Sequence, residues 1–402
     1  MHVTDVLTRR MSPARAAAFE VLEKVAEGGY ASDLLRERSR HLASRDAGLA
    51  AQIVFGCLRY QGQLDFLIFH YSGRRAEELD AAVRLALRAA ILQLRYLERV
   101  PAHAAVHESV EYVKHRKRAA SGFANAVLRK VNRKPVEWPD PATGLSCPPW
   151  LLGRWSGHFG EEAAQDIARA ALEQPVSYVR ISPGSSPPED WQLEATAVEG
   201  AYRLLSDLQP GTRLHDISSQ AIVPLLDLQP GNTYLDLCAA PGNKTLQALE
   251  TPLALAVACD VSLRRIQEIP AVCPRVLLDA TIALPFGAKF DRIFIDAPCS
   301  GTGTLGRNPE IKWRVAEGDF LRFHHKQFAI VSRALKVLAP LGKLLYATCS
   351  LEQEENEDVT RRVLDSNPEL SCSREGWRIP GRDEGDGFYA AVLEFKHPSR
   401  IS

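Results

Sequence analysis

From about residue 217 onward, five runs that are apolar at nearly every position, "TYLDLC", "LALAVACD", "RVLLDA", "DRIFIDAP" and "KLLYATC", alternate with helical stretches at about 243–250, 262–268, 319–338 and 353–365. Strands without a polar face must be covered on both sides, and crossover helices between parallel strands supply that cover. The pattern predicts an α/β fold, a doubly wound parallel sheet, with "FYAAVLEF" (388–395) as a final strand open to an antiparallel course. In such sheets ligands sit beyond the carboxyl ends of the strands. The residues there are Asp236 to Gly242, Asp260, Asp279, Asp296-Ala297-Pro298-Cys299 and Thr348-Cys349-Ser350.

The turn "LDLCAAPGNKT", Cys238-Ala239-Ala240-Pro241-Gly242-Asn243-Lys244 at its centre, is built of small residues and leads into a helix. Small side chains and Gly242 admit a ligand to the backbone, and free N–H groups at the helix start favour an anion. It has neither the GxGxxG spacing nor that of a P-loop. Asp260 ends the next strand, where an acid can accept hydrogen bonds from ribose hydroxyls. A nucleoside carrying an amino-acid carboxylate, as S-adenosylmethionine does, would use both features. Any single Asp reads more readily as a helix N-cap, but four in register at strand ends do not.

Eight cysteines stand at 57, 147, 238, 259, 273, 299, 349 and 372 without a CxxC pair, so neither a disulfide framework nor a metal site is expected. Cys238, Cys259 and Cys273 read equally well as buried structural thiols. Cys299 and Cys349 lie where strands stop. Carbon 5 of a pyrimidine is a poor nucleophile until a thiolate adds to carbon 6; a base must then remove its proton. Two thiols and an acid suit that chemistry.

The rest of the chain reads differently. Residues 12–132 are helical almost throughout: Ser12-Pro13 as N-cap and first position, Phe19, Leu22 and Val25 at helical spacing, then stretches at about 45–58, 62–71, 79–98, 102–117 and 121–132. Loops are expected at "GGYASD", "YSGRR" and "RVPAH". Five prolines between Pro135 and Pro149 predict an extended linker. The expected domains are 1–134, 135–149 as linker, a small mixed α/β region at 150–214 and 215–402. Net charge is zero, yet residues 1–135 hold 23 Lys and Arg against 14 Asp and Glu, leaving 26 against 35 for the remainder. A chain so polarised can steer a polyanion to one end, the lesser alternative being that Arg-rich helices present solvated faces. No apolar run approaches the length of a membrane span, and the start lacks the apolar segment of a secretory signal. A cytoplasmic protein is expected.

At "LDLCAAPGNKT", "FDRIFIDAPCSGTGTLGRNPEIKW", "LLYATCSLEQEEN" and the closing "DGFYAAVLEF" the chain resembles the Sun-type RNA cytosine-5 methyltransferases. Its helical third, with "SGFANAVLRK", is similar to the NusB-like domain of the RsmB branch, which methylates 16S ribosomal RNA. The resemblance implies an RNA-binding NusB-like domain, a second RNA-binding region at 150–214 and a Rossmann-like catalytic domain. It implies Cys349 as the nucleophile, Cys299 as assistant in proton removal and product release, Asp296 as partner of the pyrimidine, and Lys244 close to the reaction centre. Residues 238–244, Asp260, Asp279 and Asp296 would bind S-adenosyl-L-methionine. The Thr-Cys motif beside the Pro-Cys motif points to RNA, with no DNA partner, and a monomer is expected. Two departures stand out: Asn243 replaces a second glycine, where tolerance of left-handed backbone would rescue it, and the interval Asp260–Asp279 is short. The alternatives are methylation of another RNA such as tRNA, or a non-catalytic NusB-like RNA-binding or assembly factor.

Overall fold

The computed structural model describes residues 11–209 and 211–396. The beginning of the chain, read above as lacking a secretory signal, lies outside the described residues over positions 1–10. Among the described residues no helix is long and apolar enough to cross a membrane. Two units divide the chain: the residues up to Glu173 with Leu305–Arg314, and Gln174–Thr304 with Val315 onward.

In the first unit, spacing dictates helices: α1 (Pro13–Ala26), α2 (Ala31–Ser39), α3 (Ser44–Arg59), α4 (Gln61–Ser72), α5 (Ala81–Arg95), α6 (Ala102–Arg116) and α7 (Ser121–Leu128). Phe19, Ile53, Leu64, Leu87 and Tyr112 meet in one core. Ser12 precedes α1 as expected but does not cap it; its Oγ and N–H both donate to Glu108 Oε2, at 2.8 and 2.7 Å. The sequence marked the start of α2 as loop because only Ala31 and Leu35 of that helix are buried, too few to print a helical period.

The Pro-rich stretch is not an extended linker. Asp140 caps a single turn, Pro141–Gly144, and Gln63 and the Gly62 N–H bond to Gly144 O and Ser146 Oγ at 2.6 and 2.9 Å. Trp138 packs edge-on against Phe66. Apolar side chains between the prolines and these bonds outweigh polyproline stiffness. Helices α8 (Pro149–Phe159) and α9 (Glu161–Ala170) then carry the unit on to Glu173, and Leu305–Arg314 also belongs to it.

The second unit begins with an antiparallel sheet, β1 (Tyr178–Arg180), β2 (Leu193–Ala195) and β3 (Ala201–Leu204), in the order β1-β3-β2. After α10 (Ile217–Ile222) comes a seven-stranded sheet ordered β6-β5-β4-β7-β8-β10-β9: β4 (Thr233–Asp236), β5 (Leu255–Asp260), β6 (Arg275–Leu277), β7 (Phe290–Asp296), β8 (Leu338–Thr348), β9 (Leu370–Arg378) and β10 (Phe388–Phe395). Strands β4 to β8 pair in parallel, and β10 runs antiparallel to β8 and β9. Alternate residues feed opposite faces. Leu235, Ile293, Ile295 and Leu344 join one cluster, with Ile330, Val331 and Val359; Tyr234, Phe294 and Leu345 join the other, with Ile222 and Leu226. Helices α11 (Asn243–Ala248), α12 (Glu317–Leu335) and α13 (Glu357–Ser366) follow β4, β7 and β8 in the chain and pack on the faces of the sheet. The sequence did not announce β9, whose middle residues Glu375 and Arg374 are exposed, as suits an edge strand.

Candidate active site

Strand order reverses between β4 and β7, the place where an open α/β sheet leaves a crevice. Register decides what gathers there. Asp296 pairs with Ala347 across the parallel β7–β8 ladder, and the Ala297 N–H still reaches Ala347 O at 2.8 Å. Pro298 then has no N–H to offer and the strand leaves the sheet. Cys299 and Cys349 follow on the two neighbouring strand ends, and their Sγ atoms lie 3.3 Å apart, both as free thiols.

The serine after each cysteine explains the repeated Cys-Ser. Ser300 and Ser350 hydroxyls contact each other at 3.0 Å, and both donate to Glu355 Oε1, the latter at 2.7 Å. Glu355 Oε2 accepts the Ser300 N–H at 2.8 Å and Gln327 Nε2 at 3.1 Å. Burial raises the Glu355 pKa against these donors. One buried carboxylate thus braces both turns. Two glycines close the site from the "GTG" and "DGF" stretches: the Gly303 N–H donates to Cys349 O at 2.9 Å and the Gly387 N–H to Gly303 O at 2.8 Å. A Cβ on Gly303 would stand 2.5 Å from Gly387 O and 2.8 Å from Cys349 O, so nothing larger than glycine fits.

Lys244, on the first turn of α11, forms a 2.7 Å ion pair with Asp296 Oδ2 and lies 5.2 Å from the centre of the Phe388 ring. Burial pulls the ammonium pKa down, but Asp296 and the nearby Cys349 more than offset this and raise it. The Cys299 thiol is held well above its ordinary value by its bond to Cys349 and by burial. Beneath them Asp236 is fully buried; Oδ2 accepts from Thr245 Oγ1 at 2.7 Å and Tyr234 OH at 3.3 Å, while Oδ1 has no partner. Burial pushes its carboxyl up to about 7.

The turn Cys238-Ala239-Ala240-Pro241-Gly242 lies on the same crevice. Gly242 is the left-handed residue, at φ 98°, and a Cβ on it would press 3.0 Å from Ile269. Asn243 is therefore not asked for left-handed backbone, contrary to the expectation; it begins α11 and its Nδ2 donates to Leu214 O at 2.8 Å. Asp260 joins the turn by accepting the Ala240 N–H at 3.3 Å and the Ser262 N–H at 2.8 Å. Asp279 stands apart. It is exposed just past the end of β6, two strands from β4, with Oδ1 taken by the Thr281 N–H and hydroxyl, which hold its carboxyl below the usual range. Glu355 and Phe388 stand outside the residues expected from the sequence, and Asp236, expected at its strand end, is fully buried beneath the reacting groups. Glu355 stands only six residues past Cys349, but nothing local shows that it turns back beneath the serines.

Comparison with known proteins gives the family. Residues 223–394 match the family described as 16S rRNA methyltransferase RsmB/F, and residues 12–133 match the NusB family. A ribosomal RNA small subunit methyltransferase B from Cronobacter sakazakii is 32% identical, over 94% of this chain and 98% of that protein. The crystal structure of PH0851 superposes with a TM-score of 0.79 at 22% identity, covering 95% of this chain and 98% of the other. NSun6 from Pyrococcus horikoshii, solved with SFG, gives 0.54 at 17% identity over 62% of this chain and 99% of its own; these two likenesses speak for the fold.

Proposed function

The chain belongs to the RsmB/F family of 16S rRNA methyltransferases and is an S-adenosylmethionine-dependent RNA methyltransferase; on that premise we propose that it methylates carbon 5 of a cytidine in 16S ribosomal RNA through a covalent cysteine adduct. The observation that carries the reading is the pair of thiols 3.3 Å apart on adjacent strand ends, beside the Lys244–Asp296 ion pair.

The residues fit the cofactor. The turn 238–242 approaches closely at Gly242, Asn243 and Lys244 open the helix behind it, Asp260 offers a carboxylate to ribose hydroxyls and Asp296 stands at the neighbouring strand end, whereas Asp279, exposed two strands from β4, lies away from this turn. S-adenosylmethionine, when bound there, supplies an electrophilic methyl group.

Cys349 is the nucleophile. The Cys299 sulfur lies 3.3 Å from that of Cys349, and Cys349 attacks as its thiolate. Addition of that sulfur to carbon 6 places an electron pair at carbon 5, which takes the methyl group. Asp296, oriented by Lys244, addresses the ring where charge develops. After methyl transfer the Cys299 sulfur, its own proton lost to solvent, takes the carbon 5 proton; that C–H electron pair restores the double bond and the Cys349 thiolate leaves. Because attack comes from the face of the ring, the cytidine must be unpaired or extruded. The basic helical unit would bind the RNA.

Substitution separates the two thiols. Cys349→Ala is expected to abolish methylation and to leave no adduct, whereas Cys299→Ala should accumulate a protein–RNA adduct that survives denaturing electrophoresis. The reverse pattern would exchange their roles, and unimpaired methylation in both would end covalent catalysis by these thiols. Bisulfite sequencing of small-subunit RNA from cells with and without the gene locates the cytidine.

A further inference from the structure

The two turns that carry the cysteines are held unequally. The turn Thr348-Cys349-Ser350 has ties of its own. Asn356, fully buried, spans it: Oδ1 accepts the Thr348 hydroxyl at 2.5 Å and Nδ2 donates to Ser350 O at 3.0 Å. Cys349 O accepts the Gly303 N–H at 2.9 Å, and the next residue, Leu351, donates its N–H to Thr302 Oγ1 at 2.9 Å.

The hydrogen bonds of the turn Pro298-Cys299-Ser300 lead to one residue. Pro298 has no N–H, and its carbonyl accepts Gln327 Nε2 at 3.1 Å. Gln327 Nε2 is itself bound to Glu355 Oε2 at 3.1 Å. The Ser300 N–H and hydroxyl both donate to Glu355, and the Ser350 hydroxyl that touches Ser300 at 3.0 Å is held by Glu355 as well. Glu355 is fully buried, so removing its carboxylate leaves these donors unpaired, and they can be satisfied only if the turn shifts. The Cys349 turn keeps Asn356, Gly303 and Thr302; the Cys299 turn keeps no comparable brace.

We propose that Glu355 is a positioning residue for the step that Cys299 serves. It sets the Cys299 sulfur against Cys349, so that without it addition and methyl transfer proceed while removal of the carbon 5 proton and release of the RNA fail. The assignment rests on the cysteine chemistry proposed above.

The test compares Glu355→Ala, Glu355→Gln and Thr360→Ala in the full chain, with S-adenosylhomocysteine affinity as the check on folding. In Glu355→Gln the amide oxygen can accept the Ser300 N–H and Gln327 while the NH2 donates to the serine hydroxyls, so the brace survives. Thr360→Ala removes another buried bond of α13, at 2.8 Å to Tyr389 OH, and reads destabilisation alone. On 16S ribosomal RNA, Glu355→Ala is expected to transfer one methyl group per enzyme in a burst, then turn over about a hundredfold more slowly, with a protein–RNA adduct that survives denaturing electrophoresis. Glu355→Gln and Thr360→Ala should show neither. A second measurement needs no RNA: the arsenic(III) of phenylarsine oxide takes two neighbouring thiols and releases one water. Its affinity should fall about tenfold in Glu355→Ala, as in Cys299→Ala. If Glu355→Ala fails to bind S-adenosylhomocysteine, Ser300→Ala, which removes one bond to Glu355 from the same turn, is expected to show both effects at smaller size. Slow turnover without burst or adduct, an adduct in Thr360→Ala, as much adduct in Glu355→Gln as in Glu355→Ala, or arsenical affinity equal to that of the wild type would each overturn the assignment. Unimpaired methylation by Cys349→Ala would instead sink the covalent chemistry, and the arsenical measurement would then decide the brace by itself.

Discussion

Two buried carboxylates, Glu355 and Asp236, lie under the reacting groups and meet opposite surroundings. Four donors converge on Glu355, from Ser300, Ser350 and Gln327. They turn each serine inward and leave each preceding cysteine facing the crevice. Asp236 has donors on one oxygen only, and burial with Asp296 nearby favours its neutral form. Its folded pKa, about 7, lies above the 3.8 of an unperturbed carboxyl, so the folded state holds a proton that the unfolded chain releases. The resulting stability is complete below about pH 4 and is lost as pH rises through about 7, a change on the order of 4 kcal/mol. Urea unfolding between pH 4 and 8 should therefore show stability falling with pH, and Asp236→Asn should flatten that slope. An equal slope in the variant would remove Asp236 as its source.

At the scale of elements, what was legible depended on where burial comes from. Strands β4, β5, β7, β8 and β10 announce themselves because both faces are covered and nearly every position is apolar. The motifs at their ends put Cys299, Cys349 and Asp296 on neighbouring strand ends, since parallel neighbours must end side by side, whereas Lys244 near them was implied by the resemblance alone. Elements buried on a narrow stripe, such as α2, or exposed along an edge, such as β9, leave no such print. The segment Leu305–Arg314 was least legible. It follows the Cys299 motif in sequence yet packs in the helical unit: Lys312 Nζ donates to Arg59 O at 2.9 Å, and Arg59 donates to Gly306 O at 2.9 Å. Burial pulls the Lys312 ammonium down to about 7. Only tertiary packing reveals this, because "NPEIKWR" has no periodicity. Trp313→Ala removes a half-buried ring and its bond to Leu58 O, which should cost on the order of 2–3 kcal/mol. Hydrogen exchange should show the lost protection in α1, α3 and α4, far earlier in the chain, rather than in β7 and β8. Loss confined to the sheet would contradict the packing.

For the whole molecule the governing asymmetry is charge. The first 135 residues carry nine positive charges in excess and the remainder the same negative excess, so a polyanion is drawn to the helical unit and repelled elsewhere. The end of α6 and the turn after it concentrate this in Lys114, His115, Arg116, Lys117 and Arg118, all exposed. Lys114 and Lys117 make only loose pairs, at 3.2 Å with Glu111 and 3.5 Å with Asp80, and such exposed pairs contribute little to folding. They are therefore free to exchange a carboxylate for a phosphate. Each phosphate contact releases counterion, contributing about 0.7 to 0.9 to the slope of log affinity against log salt. Replacing Lys114, Lys117 and Arg118 by Gln should lower that slope by about 2 for ribosomal RNA fragments, leave the thermal unfolding midpoint within a degree or two, and leave S-adenosylmethionine affinity unchanged. A slope equal to that of the wild type would move the RNA footprint off this end of the helical unit, and the excess charge there would then be a solvated face.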